Sequence, residues 1–384
     1  AFLSLIQDAD VLSGWNSEGY DIPYTVNRII KVLGKAETRR LCLLDKNVVK
    51  REYIMYGKDT QTYDLVGRVH LDYLQLYRKY NYEERHSYRL DYIGEMEVGE
   101  KKVAYEGSLD KLYNHDFEMF LEYNIQDTML LKKIDDKLQF IDLASEIAHQ
   151  NTVLLPVTMG AVQTIDSAII NEAHRRKMII PDRKRGKDSD NPWGHTVAGA
   201  YVAFPKKGIH QWIGSMDINS LYPSVIRALN MAPETVVGQL RQEYTNSEIK
   251  SSIQLDKKSF ADAWAGKFGS NEYELVMSKD IDRPIVLDLE DGTEVNVTGG
   301  DVYNMLFNSN EPWCISANGT IFRTDIQGVI PGLLARWYSE RQELQKKKKE
   351  ATTPEEIAFW DKRQLVRKIL LNSTYGAICN PGSR

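Results

Sequence analysis

Residues 214–227 read GSMDINSLYPSVIR. An apolar run ends in one carboxylate, Asp217, and turns within a few residues into a helix starting near Pro223, so strand, turn and helix are expected in that order. Asp217 offers an oxygen ligand to a hard cation such as Mg²⁺, while the backbone N–H groups of Ser220, Leu221 and Tyr222 can face phosphate oxygens. Tyr222, held at the turn, can lie beneath a sugar and leave no space for a 2′-hydroxyl, which selects deoxyribose. Taken alone, the stretch also fits an Asp helix cap followed by a core tyrosine.

Working outward, residues 368–376 read KILLNSTYG. Lys368, Asn372 and Tyr375 are spaced to share one helical face. The preceding segment PGLLARWYSERQELQKKKKE also has helical spacing, and Thr353, Pro354 and Glu356 form a capping-box pattern for the second helix, so an antiparallel helical hairpin is expected. Such a hairpin can bring the Arg341 guanidinium and the Lys368 ammonium to opposite sides of one polyphosphate. At about 4 Å and an effective dielectric near 20, each charge pair contributes about 4 kcal/mol before desolvation. Gly376 lets a base pair approach the backbone. For Lys368 alone, a solvated basic face is the competing interpretation.

The N-terminal part has α/β texture. VLSGWN reads as a strand, DIPYTVNRIIKVLG as an amphipathic helix, and NVVKREYIMYG and TYDLVGRVH as β-rich runs around a polar KDTQ turn, a projecting hairpin. Few breakers interrupt residues 115–150, so one long helix is expected there. It carries YNIQD, which places Tyr123 and Asp127 four residues apart on one face. Residues 175–190 form a basic, exposed connection, either a solvated linker or a phosphate contact. GAYVAFPKKGIHQWIGSMDIN reads as strands, and residues 235–325 mix strand and loop signals without individual placement.

With 384 residues, 42% hydrophobic and 27% charged, the chain is long enough for two or three cores and excludes a disordered or collagen-like protein. No uncharged apolar stretch approaches the roughly 18 residues of a membrane span, and AFLSLIQDAD lacks the basic flank and cleavage site of a leader. Cys42, Cys314 and Cys379 form neither a disulfide framework nor a metal-ligand spacing, which suits a reducing interior. A net charge of −5 argues against coating nucleic acid through bulk charge and leaves room for a local groove.

Together the two stretches are specific: DINSLYPSVIR resembles motif A, and KILLNSTYG motif B, of the family B DNA polymerases. GWNSEGYDIPYTVNRI resembles the family's second exonuclease motif, with Asn16 and Asp21 at its functional positions, and YNIQD resembles the third, with Tyr123 and Asp127. LDYLQLYRKY, SYRLDYIGE and IQGVIP resemble segments of the replicative polymerases of T-even-type bacteriophages. The hairpin near residues 50–65 resembles their strand-separating exonuclease hairpin, and GAYV, with Gly199, Ala200 and Tyr201, resembles a DNA-holding linker motif.

The resemblance implies an α/β multidomain fold: an RNase H-like 3′–5′ exonuclease domain over 1–139, part of an N-terminal domain over 140–188, a partial polymerase palm over 189–327, two-helix fingers over 328–375, and the start of a second palm segment over 376–384. Asp217 would bind metal, and Asp21 and Asp127 the editing metals, with Tyr123 orienting the attacking water. Ser220, Leu221, Tyr222, Arg341, Lys368 and Asn372 would hold the nucleotide, while Tyr375 and Gly376 check the nascent pair. Two Mg²⁺ ions, or Mn²⁺, would serve each complete site, with primer–template DNA and deoxynucleoside triphosphates as partners and the cytoplasm of a phage-infected bacterium as location. No membrane partner is expected.

Motif C, the thumb and the first exonuclease motif, a DxE, find no counterpart, so both ends read as cut and the isolated chain is expected to be inactive. Any sliding-clamp contact would need a missing C-terminal region. Two other readings are a split-polymerase subunit completed by a second polymerase chain and a non-catalytic DNA-binding module.

Overall fold

The computed structural model describes residues 1–55, 57–81, 83–180, 182, 204–218, 220–240, 254–255, 257, 282, 284–316 and 319–380. It contains two units, Ala1–Thr164 and Ile165–Arg384.

The first unit opens with helix α1 (Phe2–Leu5), strand β1 (Val11–Gly14) and helix α2 (Asp21–Leu33). Ile22, Val26 and Ile29 lie one and two turns apart on α2 and bury one stripe against Leu3, Ile6, Leu41 and Leu65. Pro23 falls in the first turn, where no helical N–H is lost, and Gly34 ends the helix at φ +95. Strands β2 (Val49–Met55) and β3 (Lys58–Asp64) form the expected antiparallel hairpin. Its turn lies at Gly57, φ +75, and residues 58–61 belong to the returning strand rather than to a polar turn. Polar KDTQ suits a strand whose outer face is wet, while the tight turn requires the residue that tolerates positive φ.

Strand β4 (Val69–Asp72) pairs parallel with β1, placing Asp72 opposite Gly14. The Asp72 carboxylate caps helix α3 (Tyr73–Tyr80) by accepting from the Leu74 N–H at 2.9 Å. Helices α4 (Leu90–Val98), α5 (Leu109–His115), α6 (Phe117–Leu138) and α7 (Phe140–Asn151) follow. The single long helix expected over 115–150 is therefore broken. Gln139 adopts φ +55 and turns Phe140 into a cluster with Tyr73, Tyr77 and Tyr80, at ring-centroid distances of 5.7 to 6.2 Å.

Helix α8 (Ala161–Arg175) runs across the division, and helix α9 (Leu221–Ala228) follows in the second unit. Strands β5 (Val236–Leu240), β6 (Pro284–Leu289) and β7 (Glu294–Thr298), helix α10 (Gly299–Tyr303), and strands β8 (Trp313–Ile315) and β9 (Thr320–Arg323) come next. The strands form one antiparallel sheet in the order β7-β6-β5-β9-β8, over a core of Leu240, Leu287, Val302 and Ile321. The region of mixed sequence signals is thus a single sheet of short strands. Helices α11 (Val329–Glu350) and α12 (Pro354–Ile378) form the expected hairpin. Thr353 Oγ1 accepts from the Glu356 N–H at 3.2 Å, while the Glu356 carboxylate accepts from Thr352 rather than Thr353, so only half of the capping box forms.

Two expectations change in this unit. Residues 204–218 contain no strand, and Trp212 and Met216 are fully exposed. A strand is stabilised by a neighbour's ladder, and among the described residues nothing pairs with this segment. The 199–202 run, with Gly199, Ala200 and Tyr201, lies outside the described residues, as do 183–190. At the start of the basic stretch Arg175, still exposed, and the half-buried Arg176 pair with the buried Glu172 at 2.7 and 2.9 Å, and Arg336 of α11 reaches the same carboxylate at 2.7 Å. Among the described residues no helix is long and apolar enough to cross a membrane.

Replacing Phe140 by Ala should cost about 3–5 kcal/mol of stability, the usual range for emptying an aromatic core position. Urea unfolding of both proteins measures it, and a loss below about 1 kcal/mol would show that the ring cluster does not anchor α7.

Candidate active sites

The parallel pairing of β1 with β4 sets the first site. The buried Asp72 accepts from Leu74 and also from the N–H groups of Asn16 and Glu18, at 2.9 and 3.1 Å, and so holds the turn of residues 15–20 against the end of β4. Ser17 Oγ adds a contact to His70 Nε2 at 2.8 Å. Burial pushes the Asp72 carboxyl up from 3.8 to about 6 despite its three N–H donors, and burial lowers the His70 imidazole. Asp21, the first residue of α2, follows directly from this clamped turn.

A cleft of about 1400 Å³ opens beside the turn, and Asn16, Asp21, Tyr123 and Asp127 all line it. The two sequence motifs therefore meet in space. Helix α6 supplies Tyr123 and Asp127 from consecutive turns of one face, as their spacing requires. Partial desolvation raises the Asp21 carboxyl, opposed by its own backbone N–H.

Lys102, which sequence reasoning did not single out, completes the group. Its ammonium donates to Asp127 Oδ2 at 2.6 Å and to the Tyr123 hydroxyl at 3.3 Å. Burial alone would lower this lysine, but Asp127 and Tyr123 outweigh burial and hold it above its ordinary range. The segment bearing it is strapped down: Asp91 accepts the Lys102 N–H at 2.9 Å, and Glu100 pairs with Lys133 of α6 at 2.6 Å. The lysine lies in a segment without helix or strand, so no periodicity in the sequence directs it to the cleft.

In the second unit the two motifs meet through one pair of residues, and Asp217 stands apart. Tyr222 on α9 and Tyr375 on α12 stack with centroids 4.2 Å apart and planes at 8°. Arg227 of α9 lies over the Tyr338 ring of α11 at 4.6 Å. Arg341 reaches across the hairpin to Gln364 at 3.4 Å, and Lys368 is one turn farther along α12. Asn372 is exposed on the same helix. A Cβ at Gly376 would meet no protein atom within 4 Å, so the chain's own packing does not require the missing side chain. Ser220 opens α9 at φ +53, and the first-turn N–H groups of Leu221 and Tyr222 have no partner within the helix. Asp217 stands exposed in the irregular 204–218 segment and makes no hydrogen bond or ion pair among the described residues.

The family model of DNA polymerase family B matches residues 151–383, more than half of the chain, and that of the family's exonuclease domain matches residues 1–93. The chain belongs to DNA polymerase family B. Similar proteins include the DNA-directed DNA polymerase of Escherichia phage RB69, 34% identical over 231 residues, covering 60% of this chain and 25% of the relative. That of Enterobacteria phage T4 is 29% identical over 271 residues, covering 71% and 29%. The DNA polymerase of Pyrococcus glycovorans is 24% identical over 390 residues, covering 98% and 39%. The chain thus spans between a quarter and two-fifths of the length of these relatives.

Family B membership directs attention to divalent cations, and the first site fits one in part. Asp127 Oδ1 is buried and has no hydrogen-bond partner, leaving an oxygen for a hard cation, and Asp21 faces the same cleft. No group of three or more acidic, His or Cys side chains converges among the described residues, so these two carboxylates do not by themselves make up a ligand cluster.

The raised Asp72 carboxyl has a pH signature. Below about pH 4 both folded and unfolded chains hold the proton; between about pH 4 and 6 only the unfolded chain ionises, so stability falls as pH rises through that window, by about 3 kcal/mol at most. Urea unfolding at pH 4 and pH 7 should show this fall in the parent chain and its loss in Asp72→Asn. An equal fall in both proteins would refute the assignment.

Proposed function

We propose that the chain forms the editing cleft and the nucleotide-binding part of the synthetic site of a DNA-directed DNA polymerase. The observation that carries the reading is the parallel stack of Tyr222 on Tyr375, because it joins the two sequence motifs that the synthetic reaction needs on one surface. In this reading residues 1–139 are an RNase H-like 3′–5′ exonuclease domain, 189–327 the first part of a palm and 328–375 the fingers, with 140–188 and 376–384 as flanking parts. Primer–template DNA and deoxynucleoside triphosphates are the partners.

In synthesis a primer 3′-hydroxyl attacks the α-phosphate and pyrophosphate leaves. Arg341 and Lys368 neutralise the triphosphate from the hairpin, and the first-turn N–H groups of Leu221 and Tyr222 face its oxygens. Tyr222 presents its ring to the sugar, while Tyr375 and the open backbone at Gly376 face the nascent pair. Asp217 would hold Mg²⁺. In editing, the terminal phosphodiester is hydrolysed: Asp21 and Asp127 would hold the cation, the Tyr123 hydroxyl orients the water, and Lys102 keeps Tyr123 and Asp127 in register. The divalent ion, when bound, lowers the pKa of water and offsets charge developing on phosphate oxygens.

Two-metal chemistry needs more carboxylates than the described residues bring together, so the isolated chain is expected neither to extend primers nor to edit efficiently. The exposed Trp212, Ile213 and Met216 beside Asp217 favour completion of this surface by further polypeptide.

Triphosphate binding tests the reading without requiring turnover. Titration calorimetry with a deoxynucleoside triphosphate and Mg²⁺ should show binding that weakens about tenfold or more in Lys368→Ala and in Arg341→Ala, since a charged partner is worth upward of about 1.4 kcal/mol. Affinity indifferent to both substitutions would sink the proposal.

A further inference from the structure

The β2–β3 hairpin grips the turn before Asp21 at Glu18, and separately touches α2 itself, where the Tyr63 hydroxyl donates to Asn27 at 3.3 Å. In the hairpin register Arg51 is directly opposite Thr62, so their side chains leave the same face. Both end on Glu18, which lies in the turn between β1 and α2. Arg51 pairs with the Glu18 carboxylate, and the buried Thr62 hydroxyl donates to the Glu18 carbonyl at 2.8 Å. The third polar group, the Glu18 N–H, donates to Asp72. Glu18 is therefore held at carboxylate, carbonyl and amide at once, three residues before Asp21.

The grip is asymmetric. Toward the tip the hairpin is wet, with Ile54 74% exposed, whereas Thr62 at its base is 1% exposed. Arg51 is braced from behind by Asp64 at 3.1 Å and lies over the Tyr53 ring at 4.9 Å. The Arg51 and Thr62 side chains at the base thus meet the loop that leads directly into α2.

We propose that Arg51, Thr62 and Glu18 are positioning residues that couple the hairpin to Asp21. This rests on the exonuclease reading above for its biological meaning, but the coupling is a property of the fold. A register-matched cross-strand pair grips the loop, so the hairpin cannot shift without moving the start of α2. The role of Asp72 is separate: it fixes the same loop from β4 and does not depend on the hairpin.

Amide hydrogen exchange of the 384-residue chain, without DNA or metal, tests the coupling. In Arg51→Ala and in Thr62→Val, residues 15–24 should exchange about three- to fivefold faster, the scale of one partly exposed ion pair or one hydrogen bond. Helix α6 should keep its protection, which shows that the unit is folded. Arg51→Lys should restore most of the protection at 15–24, because the cation returns to Glu18. Asp64→Asn, which removes only the brace behind Arg51, should stay within about twofold of the parent. If exchange at 15–24 is unchanged in both Arg51→Ala and Thr62→Val, or is accelerated equally in Arg51→Ala and Arg51→Lys, the coupling is refuted. If either of the first two variants fails to fold, the other decides. Since no nuclease or nucleotide measurement enters, failure here leaves the polymerase reading standing, and failure of that reading leaves the coupling intact.

Discussion

The desolvated carboxylate of Asp72 is the constraint on which the first unit depends. Strand pairing alone would align β1 with β4 and leave the following turn free. By accepting from Asn16, Glu18 and Leu74, the carboxylate makes the end of β4, the turn and the start of α3 one rigid corner. The cost is an acid kept in a poorly solvated place, visible in its raised pKa. Protein N–H groups replace water around it, and the directions of three chain segments are fixed together. The turn that borders the cleft on this side starts from that corner.

In the second unit a buried asparagine has the comparable part. Asn230, just beyond α9, donates to the carbonyls of Arg323 and Ile326, each at 2.7 Å, and accepts from the Gly328 N–H at 2.9 Å. One side chain thus ties α9, the end of β9 and the entry to α11. With α9 held at its base by Asn230, its first turn can meet α12 through the Tyr222–Tyr375 stack. Aromatic stacking is weak by itself, about 0.5–1.5 kcal/mol beyond area burial, and marks a geometry fixed by stronger contacts elsewhere.

Legibility in the sequence follows the range of the physics involved. Where periodicity and caps act locally, α2, α9, α11, α12 and the hairpin could be read directly, and so could the shared face of Tyr123 and Asp127. The break at Gln139 could not, because its cause is an aromatic pocket made by Tyr73, Tyr77 and Tyr80, some sixty residues earlier. The five-stranded sheet was hidden because its strands are three to six residues long, too short to show alternation clearly. The run before Asp217 has the composition of a strand, but composition cannot supply a pairing partner. Lys102 was missed for a related reason: its meaning lies in two side chains on a helix twenty-one and twenty-five residues away.

The burial of the helical hairpin is divided along its length. On α11 the buried residues are Val329, Pro331, Leu333, Leu334 and Trp337, and on α12 they are Val366, Leu370, Leu371, Thr374 and Ala377. The outer halves of both helices contain no fully buried residue and meet through Lys348–Asp361 at 2.6 Å and Lys347 over the Trp360 ring at 4.8 Å, although α11 alone is about 33 Å long at 1.5 Å per residue. Mechanically this is a cantilever with a clamped root and a free arm. Arg341 lies one turn beyond Trp337, the last buried residue of the root on α11, whereas Lys368 lies inside the root, between the buried Val366 and Leu370, so the two cations are carried by the held part of the hairpin and its edge.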